Sequence, residues 1–292
     1  MIARTICPYN AATVLHLVLA LSGALTAAAQ PPDSQTGASR VALAIVTDSR
    51  NHPLADVSAD DFVIQEGGTA REILSVRPAD YPIVVMLDTG KEGHADFPQM
   101  RKAVARFIER IGQRPLALGT FGNAPKLVTS FEDDRRTVME KLDELEGDAT
   151  ADSLLLDGAA LAGQTIRSTG TLFSAIVVLS ATPLDASRDA PESVAPVVDS
   201  GAILHVIANR SIASGAGRAR PALRGLAEQT RGEYTTIYSA ASYQAALDRL
   251  ADRLTAEMMI EYLVPVGSKP RDVKIGVRVL GAVVRGFGVA PR

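Results

Sequence analysis

The sequence predicts an α/β fold: a doubly wound, mostly parallel sheet with β-strand elements at both ends of the chain. Three observations point there. Residues 83–87, 115–121, 172–179 and 203–208 are almost continuously apolar, as in strands buried on both faces under helices. Between them run segments whose apolar residues recur at helical spacing. The two ends, 40–78 and 259–292, instead carry short β-branched runs separated by turn residues. Strands alternating with helices indicate parallel β-α-β units, hence a Rossmann-like core.

The chain of 292 residues begins with a stretch set apart from the fold. Arg4 precedes "AATVLHLVLALSGALTAAA", and Ala27-Ala28-Ala29 before Gln30 fits a small-residue cleavage site. Residues 1–29 are expected to be a signal peptide. The apolar run is short for a retained membrane helix, so no membrane contact is expected beyond the signal peptide. The mature protein is expected to be exported, either periplasmic or secreted. The single cysteine, Cys7, lies before the apolar run. A lipid-anchor cysteine would follow it, and a mature chain without cysteine has no disulfide, thiolate ligand or cysteine nucleophile.

Residues 30–39, "QPPDSQTGAS", read as a flexible leader. Residues 40–78 form a small β element of hairpin type, with runs at 41–47 and 61–65, a third ending at Val76, and turns at Asp48–Pro53 and Gly67-Gly68. The α/β domain is placed at 79–258. Its first strand is Ile83–Leu87. Phe97, Met100, Val104, Phe107, Ile108 and Ile111 then share one helical face. Pro115–Phe121 and Leu127–Phe131 read as strands, and Asp134–Leu145 and Ser153–Ile166 as helices. Next come a strand at Leu172–Leu179, a helix at Pro191–Val198 closed by Gly201, a strand at Ile203–Ala208, a helix at Ala222–Thr230 and a strand at Tyr234–Ile237. A long helix carries Tyr243, Ala246, Leu247, Leu250, Leu254 and Met258 on one face. Residues 259–292 return to β-strands ("MMIEYLVPV", "DVKIGVRVL", "VVRGFGV"), which are expected to pack with the N-terminal β element, since neither alone buries a core.

Composition excludes some partners. The formal net charge is −3, no basic block stands out, Trp is absent and aromatics make up 4% of residues. Nucleic acid is therefore not expected as a partner. "SGAGRARP" lacks a dinucleotide-binding fingerprint, "SIASG" is not a nucleophile elbow, and P-loop and HExxH motifs are missing. His52, His94 and His205 have no partner at metal or triad spacing and read as structural. Glu132-Asp133-Asp134 reads as an acidic helix start.

The informative stretch is "YPIVVMLDTGKEGHADF", residues 81–97. An apolar strand ends in Asp88, followed by Thr89, Gly90, Lys91 and Glu92. An aspartic-type hydrolase begins this way, and "VVDSGAIL" supplies a second Asp-Ser-Gly at Asp199. That chemistry needs two carboxylates close enough to share a proton. Here both motifs adjoin helices, Lys91 would set a cation beside the dyad, and Asp199-Ser200-Gly201 is accounted for as a helix end capped by glycine. The bland readings of Asp88 are a helix cap or a partner of Lys91, and of Thr150 an N-cap. The other reading places Asp88 where open parallel sheets bind ligands, at the carboxyl end of a strand beside the topological switch point.

From Tyr81 to Met258 the layout resembles a von Willebrand factor A-type domain. That resemblance implies a Mg²⁺ adhesion site built from Asp-x-Ser-x-Ser, a second-loop Thr and a third-loop Asp. Asp88 matches the first carboxylate and Thr150, in "EGDATADSLLLDGAA", the threonine. Gly90 and Glu92 replace the two serines, and Ala181, in Ser180-Ala181-Thr182, replaces the last Asp. The flanks resemble the exported bacterial "VWFA-related" group, first grouped from acidobacteria. The matching features are Pro53-Leu54, Asp61-Phe62, Glu66-Gly67-Gly68 and "LRGLAEQTRGEY", with Arg231 in place of a Gly.

The resemblance implies a non-enzymatic binding or scaffold module with a degenerate metal site at Asp88 and Thr150 and no resident cofactor. Lys91 is expected to lie near Asp88 and stand in for the metal charge. The alternative is a Mg²⁺-dependent adhesion module that uses Glu92, Asp148 or Asp185 as substitute ligands. The partner is expected to be a protein at the cell envelope or outside. The loops at Asp88–His94, Gly147–Asp152 and Ala181–Arg188 would meet it, with Asp88, Lys91, Glu92, Asp148, Thr150 and Asp185 in contact.

Overall fold

The computed structural model describes residues 37–54, 57–181, 191–210 and 221–291, with side-chain surroundings omitted for 191–193 and 221–222. The expected signal peptide and most of the leader lie outside these residues. The chain opens with β1 (Ala38–Thr47), β2 (Phe62–Glu66), β3 (Thr69–Arg71) and β4 (Ile73–Pro78). The α/β core follows as β5 (Ile83–Leu87), α1 (Phe97–Arg110), β6 (Leu116–Thr120), β7 (Lys126–Leu127), α2 (Arg135–Asp143), α3 (Leu155–Thr169), β8 (Ala175–Ser180), α4 (Pro191–Asp199), β9 (Ile203–Asn209), α5 (Pro221–Gln229), β10 (Tyr234–Ile237) and α6 (Ser242–Thr255). It closes with β11 (Glu257–Val264), β12 (Val273–Val277) and β13 (Val283–Pro291).

The central sheet has the order β10-β9-β8-β5-β6-β7, parallel throughout except for the two-residue β7. Alternate side chains of β5 enter different cores. Ile83, Val85 and Leu87 pack with α1 and α6, whereas Val84 and Met86 pack with α3 and Val197 of α4. Both faces are covered, so every residue of the strand must be apolar, which produces the uninterrupted "IVVML". From β5 the chain winds towards β6 on one side and from β8 towards β9 and β10 on the other. The switch point therefore falls between β5 and β8.

The terminal strands form two further sheets. One has the order β13-β1-β11-β4, the other β12-β2-β3. β1 lies between β11 and β13, antiparallel to both. Its Val41, Leu43 and Ile45 join the α/β core, while Ala42, Ala44 and Val46 pack against Phe62 and Ile64 of β2. Some expectations are corrected here. The 41–47 and 61–65 runs do not pair with each other, and the hairpin is β2–β3, turned through Gly67 and Gly68 at φ 58° and 80°. Strand β1 starts at Ala38, inside the stretch read as leader. The strand expected through Phe131 stops at Leu127. The last long helix ends at Thr255, and Met258 belongs to β11.

The junction between the α/β core and these sheets is buried and charged. Glu257, at the head of β11, is fully buried and accepts a hydrogen bond from the Tyr81 hydroxyl. Arg253 Nε lies 3.8 Å from its Oε1, and Arg114 stacks 5.0 Å from the Tyr81 ring centroid. Arg253 and Arg285 flank the Phe287 ring at 4.9 and 5.4 Å. Burial raises the Glu257 carboxyl to about 7, with Tyr81, Arg253, Arg114 and Arg285 opposing. His205 of β9 is 1% exposed with no hydrogen-bond partner for either ring nitrogen among the described residues, and burial, then Arg253 and Arg285, lowers it to about 3.

The two groups oppose one another with pH. Folded Glu257 keeps a proton that the unfolded chain releases near 4.5, so its contribution is present in acid and is lost as pH rises towards 7. Folded His205 stays neutral while the unfolded chain protonates near 6.5, so stability is lost as pH falls from there towards 3. Urea midpoints should show Glu257→Gln gaining on the wild type as pH rises from 5 to 8, and His205→Leu gaining as pH falls from 7 to 5. Parallel pH profiles for wild type and variants would contradict the assignment.

Candidate functional site

Asp88 directly follows β5 at the switch point, and its side chain is fully buried. Its backbone N–H donates to Leu179 O at 3.0 Å, extending the β5–β8 pairing. The carboxylate accepts from four groups on three segments. Ser153 Oγ and Gly90 N donate to Oδ1 at 2.5 and 2.9 Å. Ser180 Oγ and Ala181 N donate to Oδ2 at 3.2 and 3.0 Å. Burial raises the Asp88 pKa, and the four donors pull it down in turn. Above Ser180, Tyr243 of α6 donates its hydroxyl to Ser180 O at 2.6 Å.

Ser153 is the residue that sequence reasoning missed. The resemblance matches Thr150 to the second-loop hydroxyl, but its Oγ1 and N instead donate to Asp148 Oδ1 at 2.6 and 2.8 Å, closing a local turn. Thr150 does not cap a helix either, because α3 begins only at Leu155. Ser153 reaches Asp88 because position 90 is glycine. A Cβ there would lie 2.3 Å from Ser153 Oγ and 3.1 Å from Asp88 Oδ1. The Ser153 hydroxyl occupies the space that a side chain at position 90 would need. The sequence signal was Gly90 itself, a side chain missing beside a carboxylate that needs a donor.

Lys91 does not approach Asp88 as expected. Its ammonium is half-exposed and pairs with Asp152 Oδ1 at 2.7 Å, with Glu92 Oε1 at 4.0 Å. The cause is distance from water: a buried carboxylate already holding neutral donors is a poorer place for an ammonium than a surface one. Asp88 caps no helix, since α1 begins nine residues later at Phe97. Asp185, with most of the loop at 181–188, lies outside the described residues.

The two described loops are zipped together. Asp148 N donates to Thr89 O at 2.7 Å, Lys91 N to Ala151 O at 2.7 Å, and His94 Nδ1 lies 3.0 Å from Gly147 O. Asn123 joins from the loop after β6, its Oδ1 accepting from Asp152 N at 2.9 Å and its N donating to Asp152 O at 2.8 Å. The result is a pre-formed crown with Lys91, Glu92, Asp148 and Asp152 outermost. Asp199 lies elsewhere. It ends α4 at the amino-terminal side of β9, 3.9 Å from Arg167, whereas Asp88 is at the carboxyl end of a parallel strand. The length of a strand separates the two carboxylates, so they share no proton. Among the described residues no three His, Asp or Glu side chains converge on a metal position.

No family model and no curated protein sequence matches this chain. Solved structures do. A von Willebrand factor type A structure from Catenulispora acidiphila superposes with a TM-score of 0.52 at 12% identity, covering 90% of this chain and 74% of that one. Proximal thread matrix protein 1 from the mussel byssus, with a zinc-occupied MIDAS motif, gives 0.51 at 12% identity over 68% of this chain. A further structure of the mussel protein gives 0.50 at 10% identity. This chain spans half the length of the mussel protein. The fold is von Willebrand factor A-like.

Removing the donors tests the site. Ser153→Ala should cost about 1.5–3 kcal/mol in urea unfolding, as expected for a hydrogen bond to a charged group. Asp88→Ala strands four donors and should cost about 3–5 kcal/mol, the range for breaking a buried charged cluster. Adding Ser153→Ala to Asp88→Ala should then cost much less than Ser153→Ala alone. Strict additivity would contradict the coupling.

Proposed function

We propose that this chain is an exported, non-enzymatic binding or scaffold module that meets a protein partner through the crown at the carboxyl ends of its core strands, without a resident cation. One observation carries the reading: the Asp88 carboxylate is already engaged by four protein donors. A hard dication such as Mg²⁺ takes about six oxygens in near-octahedral array. At the positions that the resemblance assigns to ligands, this chain offers Gly90, Glu92 and Ala181, and the Thr150 hydroxyl is turned to Asp148. Glu92 and Asp148, the substitutes described here, sit in the outer crown, with Glu92 near Lys91 and Asp148 held by Thr150. These residues do not fit such an ion.

Recognition then rests on the shape and charge pattern of a rigid surface. The loops are cross-linked before any partner arrives, so little ordering entropy is lost on binding. The small-residue cleavage pattern at 27–29 supports export. Among the described residues no helix is long and apolar enough to cross a membrane. A non-enzymatic role is supported by the separation of Asp88 from Asp199.

The immobilised mature protein should capture its envelope partner equally well in 5 mM Mg²⁺ and in EDTA. The charge-swapped pair Lys91→Asp with Asp152→Lys keeps an ion pair but reverses the surface pattern, and should weaken capture at least tenfold without lowering the unfolding temperature. Release of the partner by EDTA would contradict the reading, as would indifference to the charge swap.

A further inference from the structure

A cavity lies at the opposite end of the sheet from Asp88. Its volume is about 430 Å³, within the range of small-molecule sites (about 300–1,000 Å³). Leu172 and Phe173 line it ahead of β8, Val198 and Ile203 around the α4–β9 turn, and Phe287 and Val289 from β13. Leu172 and Val198 are 44% and 36% exposed, so two apolar side chains stand at the mouth, where water is their only neighbour on one side. The one charged lining residue is Arg231, and no acidic side chain lines the cavity among the described residues.

Arg231 has an unusual backbone. It lies at φ 65°, the left-handed region that favours glycine, and it is the residue that stands where the related segment carries Gly. Glycine would relax this backbone, and the chain carries an arginine there. Part of the side chain's use is visible: the register of β1 against β13 skips Phe287, and Arg231 Nη1 donates to the Phe287 carbonyl thus turned outward. That occupies one of five N–H groups on a planar guanidinium. Gly288 leaves the neighbouring space open, since a Cβ there would approach Arg231 Nη1 to 3.2 Å and Phe173 Cε1 to 3.5 Å.

We propose that this cavity is a binding site for a small amphiphilic monocarboxylate, with the carboxylate on the Arg231 guanidinium and the hydrocarbon tail along the exposed Leu172 and Val198. Charge complementarity selects the class. One cation without a lining carboxylate favours a monoanion, and the exposed apolar side chains of Leu172 and Val198 at the mouth favour a tail over a compact polar anion such as phosphate. The site is independent of the crown, at the other end of the strands.

Octanoate and octan-1-ol, titrated into the ¹⁵N-labelled mature protein, test the assignment. Octanoate should shift the amides of Thr230, Arg231 and Phe287–Val289 with a sub-millimolar Kd, and octan-1-ol should bind at least tenfold more weakly. Arg231→Gly, which relieves the backbone, should reduce octanoate binding to the octanol level while the unfolding temperature holds or rises. Leu172→Glu, an exposed change that sets an anion at the mouth, should weaken octanoate at least fivefold. Octanol binding within threefold of octanoate, unaltered binding by Arg231→Gly, or no shifts at these amides would overturn the proposal. So would selective binding of a peptide with a free apolar carboxyl terminus while octanoate stays silent.

Discussion

A carboxylate without access to water must find its donors inside the protein. Asp88 is held at the switch point by the β5–β8 pairing, so its donors have to come from whatever the neighbouring loops can deliver. Two come from the end of β8, one from its own loop, and one from Ser153 in the loop before α3. That need orders the rest of the crown. Ser153 can reach Asp88 only if its loop lies against residues 89–94, and once there its backbone meets Thr89 and Lys91. The charged side chains are left on the outside, where Lys91 and Asp152 find each other.

The other end of the sheet obeys a different constraint. β1 is buried on both faces and joins the terminal sheets to the α/β core, so Glu257 at the junction has no solvent to hold its charge. Glu257 is met by Arg253 and the Tyr81 hydroxyl, while Arg114 lies on the Tyr81 ring and Arg253 and Arg285 on the Phe287 ring. Interwoven strands explain why neither terminal element is a separate unit. β11, directly after the last core helix, has β1 and β4 from the opposite end of the chain as its neighbours.

Much of this was legible in the sequence, for identifiable reasons. Doubly covered strands leave continuous apolar runs, and α1 leaves Phe97, Met100, Val104, Phe107 and Ile108 at helical spacing, all of them buried. Asp88 was visible because a carboxylate after such a run needs an account. Partner choice was less legible. Ser153 was hidden because its sequence context reads as the first turn of a helix, which begins only at Leu155, and the space beside Gly90 is what brings its hydroxyl to Asp88. Lys91 adjoins Asp88 in the chain, yet burial rather than sequence distance selects its partner. Strand pairing at the ends was hidden because β1 carries no mark of pairing with β11 and β13 instead of β2. The helix-like pattern running on to Met258 masked the break at Ala256, where Glu257 turns into the junction.

The most direct measurement is a crystal of the mature protein grown in MnCl₂ and examined with anomalous scattering. The account predicts no anomalous peak within coordination distance of Asp88, with Ser153, Gly90, Ser180 and Ala181 still donating to its carboxylate. A manganese peak beside Asp88, with Ser153 swung away or turned into a ligand, would contradict it.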